Sequence, residues 1–567
     1  MEHPWDFLER HRGRDFEGEW PSIPAMLAIT AGRFPDRSAF TTFDPRPLSL
    51  SYAQVLQIVG QAAAHLRASG IRPGDRVAVT GKNSPEWAVA YLSVLAAGAV
   101  VVPLDYQLTA EEARRFIESA DVRAVFLDEE KYDILKPGAI GGCRKLSLSP
   151  ARPGYVLDLP AEGHLLEKPA EEETAAILFT SGTTGIARGV MLSHRNLASD
   201  TYLSQALIRI RETDVFYALL PIHHSYTMTA VFLEAVSVGA EIVFGKRFQQ
   251  KQIFDDLRQG RVTIFLGVPA LFDKVLKGVR QGIREKGALL FTAVRLLMIA
   301  CGAVKRIFRL NAGKRIFGFI LKKISMDQVR ICISGGGPLA PSTFRQFNQL
   351  GIDFVQGYGL TETSPIVALN PVEAYRPRSV GKIIPQVEVK IVGAERSGRG
   401  EIAVRGPIVM QGYAKDDEAT REILADGGFL LTGDVGYLDR KGFLYLTGRK
   451  KNLIVTAGGK NVYPEEIENR FRLYEEIEQV LVRGYTRAPQ ARAEEIEALI
   501  YPSEAHSGGS SPAEAGDRGS VHDRMAAIIQ EVNARLKPYQ RLSRFRILDE
   551  PLEITTTQKI KRYKVVG

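Results

Sequence analysis

Short apolar runs recur along the first two-thirds of this chain, several of them ending in a loop rich in Gly, Ser or Pro. Residues 76–80 (Arg-Val-Ala-Val-Thr), 98–104 and 122–127 are such runs, with helical stretches at 85–97 and about 109–120 between them. Strands that alternate with helices leave each strand parallel to the last, because the helix carries the chain back across the sheet. The pattern predicts an α/β fold with largely parallel sheets, and it resumes at 176–179, 264–268 and 330–334. Loops at the strand ends of such sheets are where ligands bind.

From about Gly381 the texture changes. Residues 387–392, 400–405 and 442–447 alternate apolar and polar side chains, as half-exposed antiparallel strands do. After Arg449 comes a smaller strand–helix–strand region, interrupted at 503–519 by Ser, Gly, Pro and charge, which predicts a mobile loop. A chain of 567 residues exceeds what one core can hold. The expected architecture is a large N-terminal α/β domain of layered subdomains with a β-rich subdomain (1–450), followed by a small, mobile α+β C-terminal domain (451–567).

Apolar residues make up 45% and charged residues 25%, the balance of a water-exposed globular surface over packed cores. Cys143, Cys301 and Cys332 show no paired spacing, so reduced thiols and a cytoplasmic setting are expected. The first twenty residues lack the apolar core of a signal peptide. A net charge of +9 suits an anionic membrane face or phosphorylated ligands, and no zinc-finger, RNP-like or basic heptad pattern supports nucleic acid as the partner. No uninterrupted apolar run reaches the ~20 residues that span a bilayer, so the chain is not expected to cross one. Residues 274–330 stand apart: they are helical in pattern, apolar in blocks, and basic in the second half, where Asp327 is the single acid. That combination fits peripheral contact with an anionic membrane, and equally a packed excursion with a solvated basic face. Nothing in the sequence indicates an oligomeric state.

The segment Phe179-Thr180-Ser181-Gly182-Thr183-Thr184-Gly185-Ile186-Ala187-Arg188 follows a buried strand. Its glycines and hydroxyls can wrap backbone N–H groups around phosphate oxygens, and Arg188 adds a forked cation. The Walker spacing is absent. Alone, such a loop would also suit a surface linker.

Seven further motifs follow in order: Leu220-Pro221-Ile222-His223-His224-Ser225, Ser334-Gly335-Gly336-Gly337-Pro338-Leu339, Gln356-Gly357-Tyr358-Gly359-Leu360-Thr361-Glu362-Thr363, Thr432-Gly433-Asp434, Gly448-Arg449-Lys450-Lys451-Asn452, Gly459-Lys460-Asn461-Val462-Tyr463-Pro464 with the acidic run after it, and Thr555-Thr556-Thr557-Gln558-Lys559-Ile560. Together with the loop they resemble, over nearly the whole chain, the adenylate-forming (AMP-binding) superfamily, and most of all the bacterial long-chain fatty acyl-CoA synthetases.

The resemblance implies two steps: ATP and an acid give acyl-AMP and pyrophosphate, then a thiol, coenzyme A, takes the acyl group. It implies that Thr180, Ser181, Gly182, Thr183, Thr184, Gly185 and Arg188 hold the outer phosphates, with Arg188 standing where the family usually has Lys. It places Tyr358 on the adenine, with Gly335, Gly336, Gly337, Gln356, Gly357 and Gly359 shaping the nucleotide pocket. Thr361 would touch the α-phosphate, Glu362 would hold Mg²⁺, Asp434 would take the ribose hydroxyls, and Arg449 would reach ribose or phosphate. Lys559 would bridge acid and α-phosphate. Lys451 would be the hinge whose rotation withdraws Lys559 and presents Gly459 to the thiol. His224 would position the acid. The pair His223–His224 suggests a metal at first sight, but neighbouring side chains are expected to diverge and no third ligand is evident, so zinc is not expected. An acyl carrier protein as acceptor, an enzyme that stops at the adenylate, and a turnover-dead sensor stay open beside coenzyme A.

Overall fold

The computed structural model describes all residues except 1–2, 136–139, 141, 161–162, 182–186, 247–248, 426, 473, 487–493, 504–514, 556–559, 563–564 and 566–567. The alternation read from the sequence builds two sheets. The first has the strand order Gly412–Tyr413, Ala187–Ser193, Thr174–Ser181, Val100–Leu104, Arg76–Thr80, Val122–Leu127 and Arg144–Ser147. Its last five strands run parallel, and the Ala187–Ser193 strand turns back antiparallel to Thr174–Ser181. The helix Pro85–Ala96 that links two of these strands is buried on every side, which is why its sequence reads as apolar without a polar face.

The second sheet is longer. Its parallel half includes Val215–Ala218, Ile264–Gly267, Ile331–Ser334 and Asp353–Gly359. At Asp353–Gly359 the pairing turns antiparallel to Ile366–Leu369, and the same sheet runs on through Gly381–Ile383, Phe443–Arg449 and Phe429–Leu438 to Gly400–Arg405 and Glu388–Val392. The β-rich region is therefore hydrogen-bonded onto the parallel sheet as its continuation.

From Ile454 on, the chain packs around separate apolar side chains, among them Ile467, Phe471, Val482, Ile500 and Met525. Part of the loop expected at 503–519 lies outside the described residues. Its last positions are not loop: the helix Ala515–Ala534 begins there, its start hidden in the sequence by Gly516 and Gly519, which read as helix breakers.

Between Ile264–Gly267 and Ile331–Ser334 come the helices Pro269–Arg284, Ala288–Phe308, Ala312–Ile316 and Gly318–Lys323. The helix Ala288–Phe308 is 21 residues long and apolar enough, by length and composition, to cross a bilayer. The sequence expectation missed this by requiring an unbroken run. Arg295 interrupts the apolar positions without ending the helix. One stripe of it packs on the body, where Lys305 Nζ lies 2.7 Å from an Asp353 carboxylate oxygen and donates to Asn348 Oδ1 at 2.8 Å. All three cysteines are buried and free.

Candidate active site

The sheet ends converge on one cavity of about 2050 Å³. Gly335, Gly336 and Gly337 line it just past the strand Ile331–Ser334. A Cβ on Gly335 would lie 2.7 Å from the Tyr226 ring, so only glycine lets that backbone pass. Gln356, Gly357, Tyr358 and Gly359 line the cavity from the neighbouring strand, Asp353–Gly359. At Gly359 a Cβ would fall 1.4 Å from the Pro365 carbonyl oxygen.

Tyr358 and Asp434 meet here. The Tyr358 hydroxyl donates to Asp434 Oδ2 at 2.9 Å, and Arg449 Nε stands 3.0 Å from Oδ1. Asp434 and Arg449 are direct cross-strand partners, so the turn between their strands sets this pair. Burial first, and the Asp434 charge second, push the Tyr358 phenol far above its ordinary range, so it stays a donor. Each Asp434 oxygen keeps a lone pair for a further donor such as a ribose hydroxyl.

On the opposite wall Thr361 and Glu362 sit in the short turn Thr361–Thr363. Thr361 Oγ1 lies 3.1 Å from Ser225 Oγ. Glu362 Oε1 accepts from the Tyr413 hydroxyl at 2.9 Å. The Arg188 guanidinium lies 5.3 Å from the centre of the same Tyr413 ring, and its Nε is 3.4 Å from Asp416 Oδ2. Thr180 and Arg188 are paired across the strands Thr174–Ser181 and Ala187–Ser193, and Thr180, Ala187 and Arg188 line the cavity. Gly182, Thr183, Thr184 and Gly185 lie outside the described residues. Tyr413 thus bridges the expected phosphate cation to the expected metal carboxylate, a link no motif announced. A carboxylate with one oxygen fixed by Tyr413, facing a space meant for phosphates, suits Mg²⁺, which takes few protein ligands and completes its shell with phosphate oxygens and water.

His224 also lines the cavity, and here one expectation is corrected. His223 and His224 do not diverge: the His224 N–H donates to the Pro221 carbonyl at 3.3 Å, a turn in which neighbouring rings come together, and their centroids are 4.3 Å apart. A third group is present as well. Asp105 Oδ2 stands 3.6 Å from His223 Nε2, and the three residues bring ligand atoms within 4.8 Å of one another. Burial works to raise the Asp105 carboxyl, but the neighbouring His223 and the Gln107 N–H, which donates to Oδ1 at 2.9 Å, outweigh it and hold the group at about 2. What this geometry visibly does is hold His223 beside Asp105, with the His224 ring tilted against it.

The cavity extends inward past Tyr226 and Ala230 to Ile208, Ser204 and Glu234. Glu234 is 2% exposed, and Ser204 Oγ donates toward its two oxygens at 3.3 and 3.4 Å. Asp200, fully buried beside it, accepts from the Ile366 N–H at 3.1 and 3.2 Å. Desolvation raises both carboxyls well above the usual range.

Lys559 lies outside the described residues. Its neighbours Ile554 and Ile560 pair with each other, and both line the cavity. Lys451 is on the cavity wall in the turn Lys450–Asn452. Gly459 is not with the rest: it sits at φ +64° on the exposed turn between the strands Ile454–Val455 and Asn461–Val462.

The family model for AMP-binding enzymes matches residues 27–414. The chain belongs to the AMP-binding enzyme family. It is 28% identical to the long-chain-fatty-acid–CoA ligase FadD15 of Mycobacterium bovis, over 97% of this chain and 96% of that one. It is 26% identical to the chloroplastic long-chain-fatty-acid–[acyl-carrier-protein] ligase AEE15 of Arabidopsis thaliana, over 97% and 86%. Among solved structures, ATP-bound MatB from Rhodopseudomonas palustris superposes with a TM-score of 0.76 at 26% identity, covering 96% of this chain and 98% of that one.

Proposed function

We propose that this AMP-binding enzyme activates a long-chain fatty acid with ATP and transfers the acyl group to coenzyme A. The observation that carries the reading is the single cavity of about 2050 Å³, whose wall holds Tyr358 and Asp434 at one end and the Ile208–Ala230 arm at the other. A drug-sized ligand needs roughly 300–1,000 Å³, so one nucleotide leaves room for a long acyl chain. The FadD15 relative supports the choice of acid.

In the first step a carboxylate oxygen attacks the α-phosphorus and pyrophosphate leaves, so charge crowds between reactants. Tyr358, Asp434 and Arg449 fix the nucleoside. Thr361, oriented by Ser225, faces the α-phosphate, and Arg188 faces the departing pyrophosphate. Glu362, held by Tyr413, would hold Mg²⁺, which would supply further charge neutralisation on the phosphates. Lys559 is assigned the bridge between acid and α-phosphate on its motif. In the second step the thiol sulfur attacks the acyl carbon, AMP leaves, and the thiol proton passes to solvent. The free buried cysteines and the need for ATP support a cytoplasmic setting.

The test is pyrophosphate release with acids of graded chain length, each with coenzyme A, with acyl carrier protein, or with neither. The reading expects release to peak with long-chain acids and thioester to form on coenzyme A. Thioester on the carrier alone would favour the acceptor of the AEE15 relative, and no release with any acid would end the enzyme reading. Lys559→Ala should abolish pyrophosphate release and spare thioester formation from supplied acyl-AMP; equal loss of both would refute the role given to Lys559.

A further inference from the structure

The helix Ala288–Phe308 touches the body along a narrow stripe. Phe291, Val294, Met298, Cys301 and Lys305 follow one another at three- and four-residue spacing, and only Met298 and Cys301 are buried. Gly302 backs onto Gln349, where a Cβ would come within 2.8 Å of that side chain. Around the rest of the helix, and in the two short helices after it, apolar side chains face water: Leu289 is 89% exposed, Ile307 69%, Phe319 68%, Phe308 65%, Leu296 63% and Leu310 63%. Water-exposed protein surfaces scatter such residues singly, and a contiguous set marks a surface with a partner.

The charge of this set is of one sign. Arg295, Arg306, Arg309, Arg315, Lys322 and Lys323 are all exposed, and Asp327 is the one acid from Ala288 to Arg330. A second copy of the chain pairing through this face would set these cations against their own equivalents, which opposes an isologous dimer. An apolar face ringed by cations is complementary to lipid acyl chains under anionic headgroups. Crossing the bilayer is ruled out by the packed stripe, because Lys305 is fastened to Asp353 and Asn348 and one side of the helix is never free for lipid.

We propose that the outer face of the Ala288–Phe308 helix, with the Ala312–Ile316 and Gly318–Lys323 helices, docks on an anionic bilayer surface and lies in its interface. The helix before it, Pro269–Arg284, packs against the docked helix and lines the cavity at Ala270, Leu271 and Lys274. An acid dissolved in the bilayer is then one helix away from its cavity. Docking does not depend on which acid the enzyme takes.

The test is co-sedimentation of the full chain with vesicles of phosphatidylcholine alone or mixed with phosphatidylglycerol. The protein should sediment with the mixed vesicles at low salt, and high salt should release it. Leu296→Glu with Phe308→Glu should abolish binding. Arg306→Glu with Arg309→Glu should lower partitioning onto the phosphatidylglycerol vesicles by about 10-fold or more. ATP–pyrophosphate exchange with a short water-soluble acid should be unchanged in both variants, which shows that they are folded. No sedimentation of the wild type, or binding untouched by Leu296→Glu and Phe308→Glu, would overturn the proposal. So would a solution dimer that Leu296→Glu dissociates, which would assign the face to self-association.

Discussion

Asp434 is held from both sides, its Oδ2 by the Tyr358 hydroxyl at 2.9 Å and its Oδ1 by Arg449 Nε at 3.0 Å, so one carboxylate ties the central strand of the large sheet to its antiparallel extension. Asp434→Asn preserves the shape and removes the charge that both partners answer. Hydrogen bonds to charged groups contribute about 1.5–3 kcal/mol, so AMP affinity, measured calorimetrically, should fall roughly 10- to 100-fold. Tyr358→Phe removes one neutral donor and should cost less than 10-fold. The reverse ranking would mean that Asp434 is not the ribose acceptor.

The Arg188–Tyr413–Glu362 chain predicts a coupling between phosphate and metal. Tyr413→Phe frees Glu362 to turn, so the Mg²⁺ concentration for half-maximal pyrophosphate release should rise several-fold, with the acid KM unchanged. Arg188→Ala should raise the ATP KM by about 10-fold or more, because a charge-assisted contact to phosphate is lost. Arg188→Lys should recover most of it. A Tyr413→Phe enzyme with wild-type magnesium dependence would separate Glu362 from the metal role.

Glu234 predicts a pH dependence of stability. In the unfolded chain a glutamate ionises at about 4.3, whereas the folded protein holds Glu234 neutral well above that value. Above about pH 4.3 the unfolded state therefore binds fewer protons at this site than the folded one, and stability falls as pH rises toward the folded pKa. The slope reaches about 1.4 kcal/mol per pH unit. Glu234→Gln copies the neutral form and removes that slope, so its Tm advantage over the wild type should widen as pH rises above about 4.3. A pH-independent difference would show that Glu234 is ionised in the fold.

Lys277 predicts a split between the two half-reactions. Its Nζ donates to the Tyr474 and Ile477 carbonyls at 2.7 and 3.0 Å, and two ion pairs flank it: Arg472 with Asp273 at 3.6 Å and Arg284 with Glu475 at 3.1 Å. These contacts hold the C-terminal region in the orientation that brings Ile554 and Ile560 to the cavity. Lys277→Ala should slow adenylation several-fold, read as pyrophosphate exchange, and leave thioester formation from supplied acyl-AMP unimpaired. Equal slowing of both would make Lys277 a general structural contact.

The parallel strands were legible because each carries its own signal: residues 76–80, 122–127 and 264–268 are apolar, β-rich and closed by turn residues. The motif residues Tyr358, Thr361, Glu362, Asp434 and Arg449 were legible as a set, and the fold brings them to one cavity. Tyr413 and Asp105 were not, since each acts through a contact that spans from dozens to more than a hundred residues of sequence and sits in no motif of its own; Ser225 stood in a motif, but its contact with Thr361 was not visible there. Glu234 and Asp200 were missed for a related reason. A lone acid in a helical stretch reads as solvated, and only packing shows that it faces a buried arm. The helix Ala515–Ala534 was hidden by two glycines near its start, and the antiparallel extension gave no sign that it would join the parallel sheet edge to edge.

The helix Pro269–Arg284 has the C-terminal region fastened to one flank and the apolar Ala288–Phe308 helix against another. A large domain moored to lipid through that second contact, as proposed above, would give the catalytic cycle a fixed compass: the greasy reactant would come up from beneath, while the small domain would pivot overhead in water, where the charged products would depart. Under the proposed docking the enzyme would work as a one-way transfer station at the membrane's edge, drawing acid from the lipid and releasing a form too polar to return.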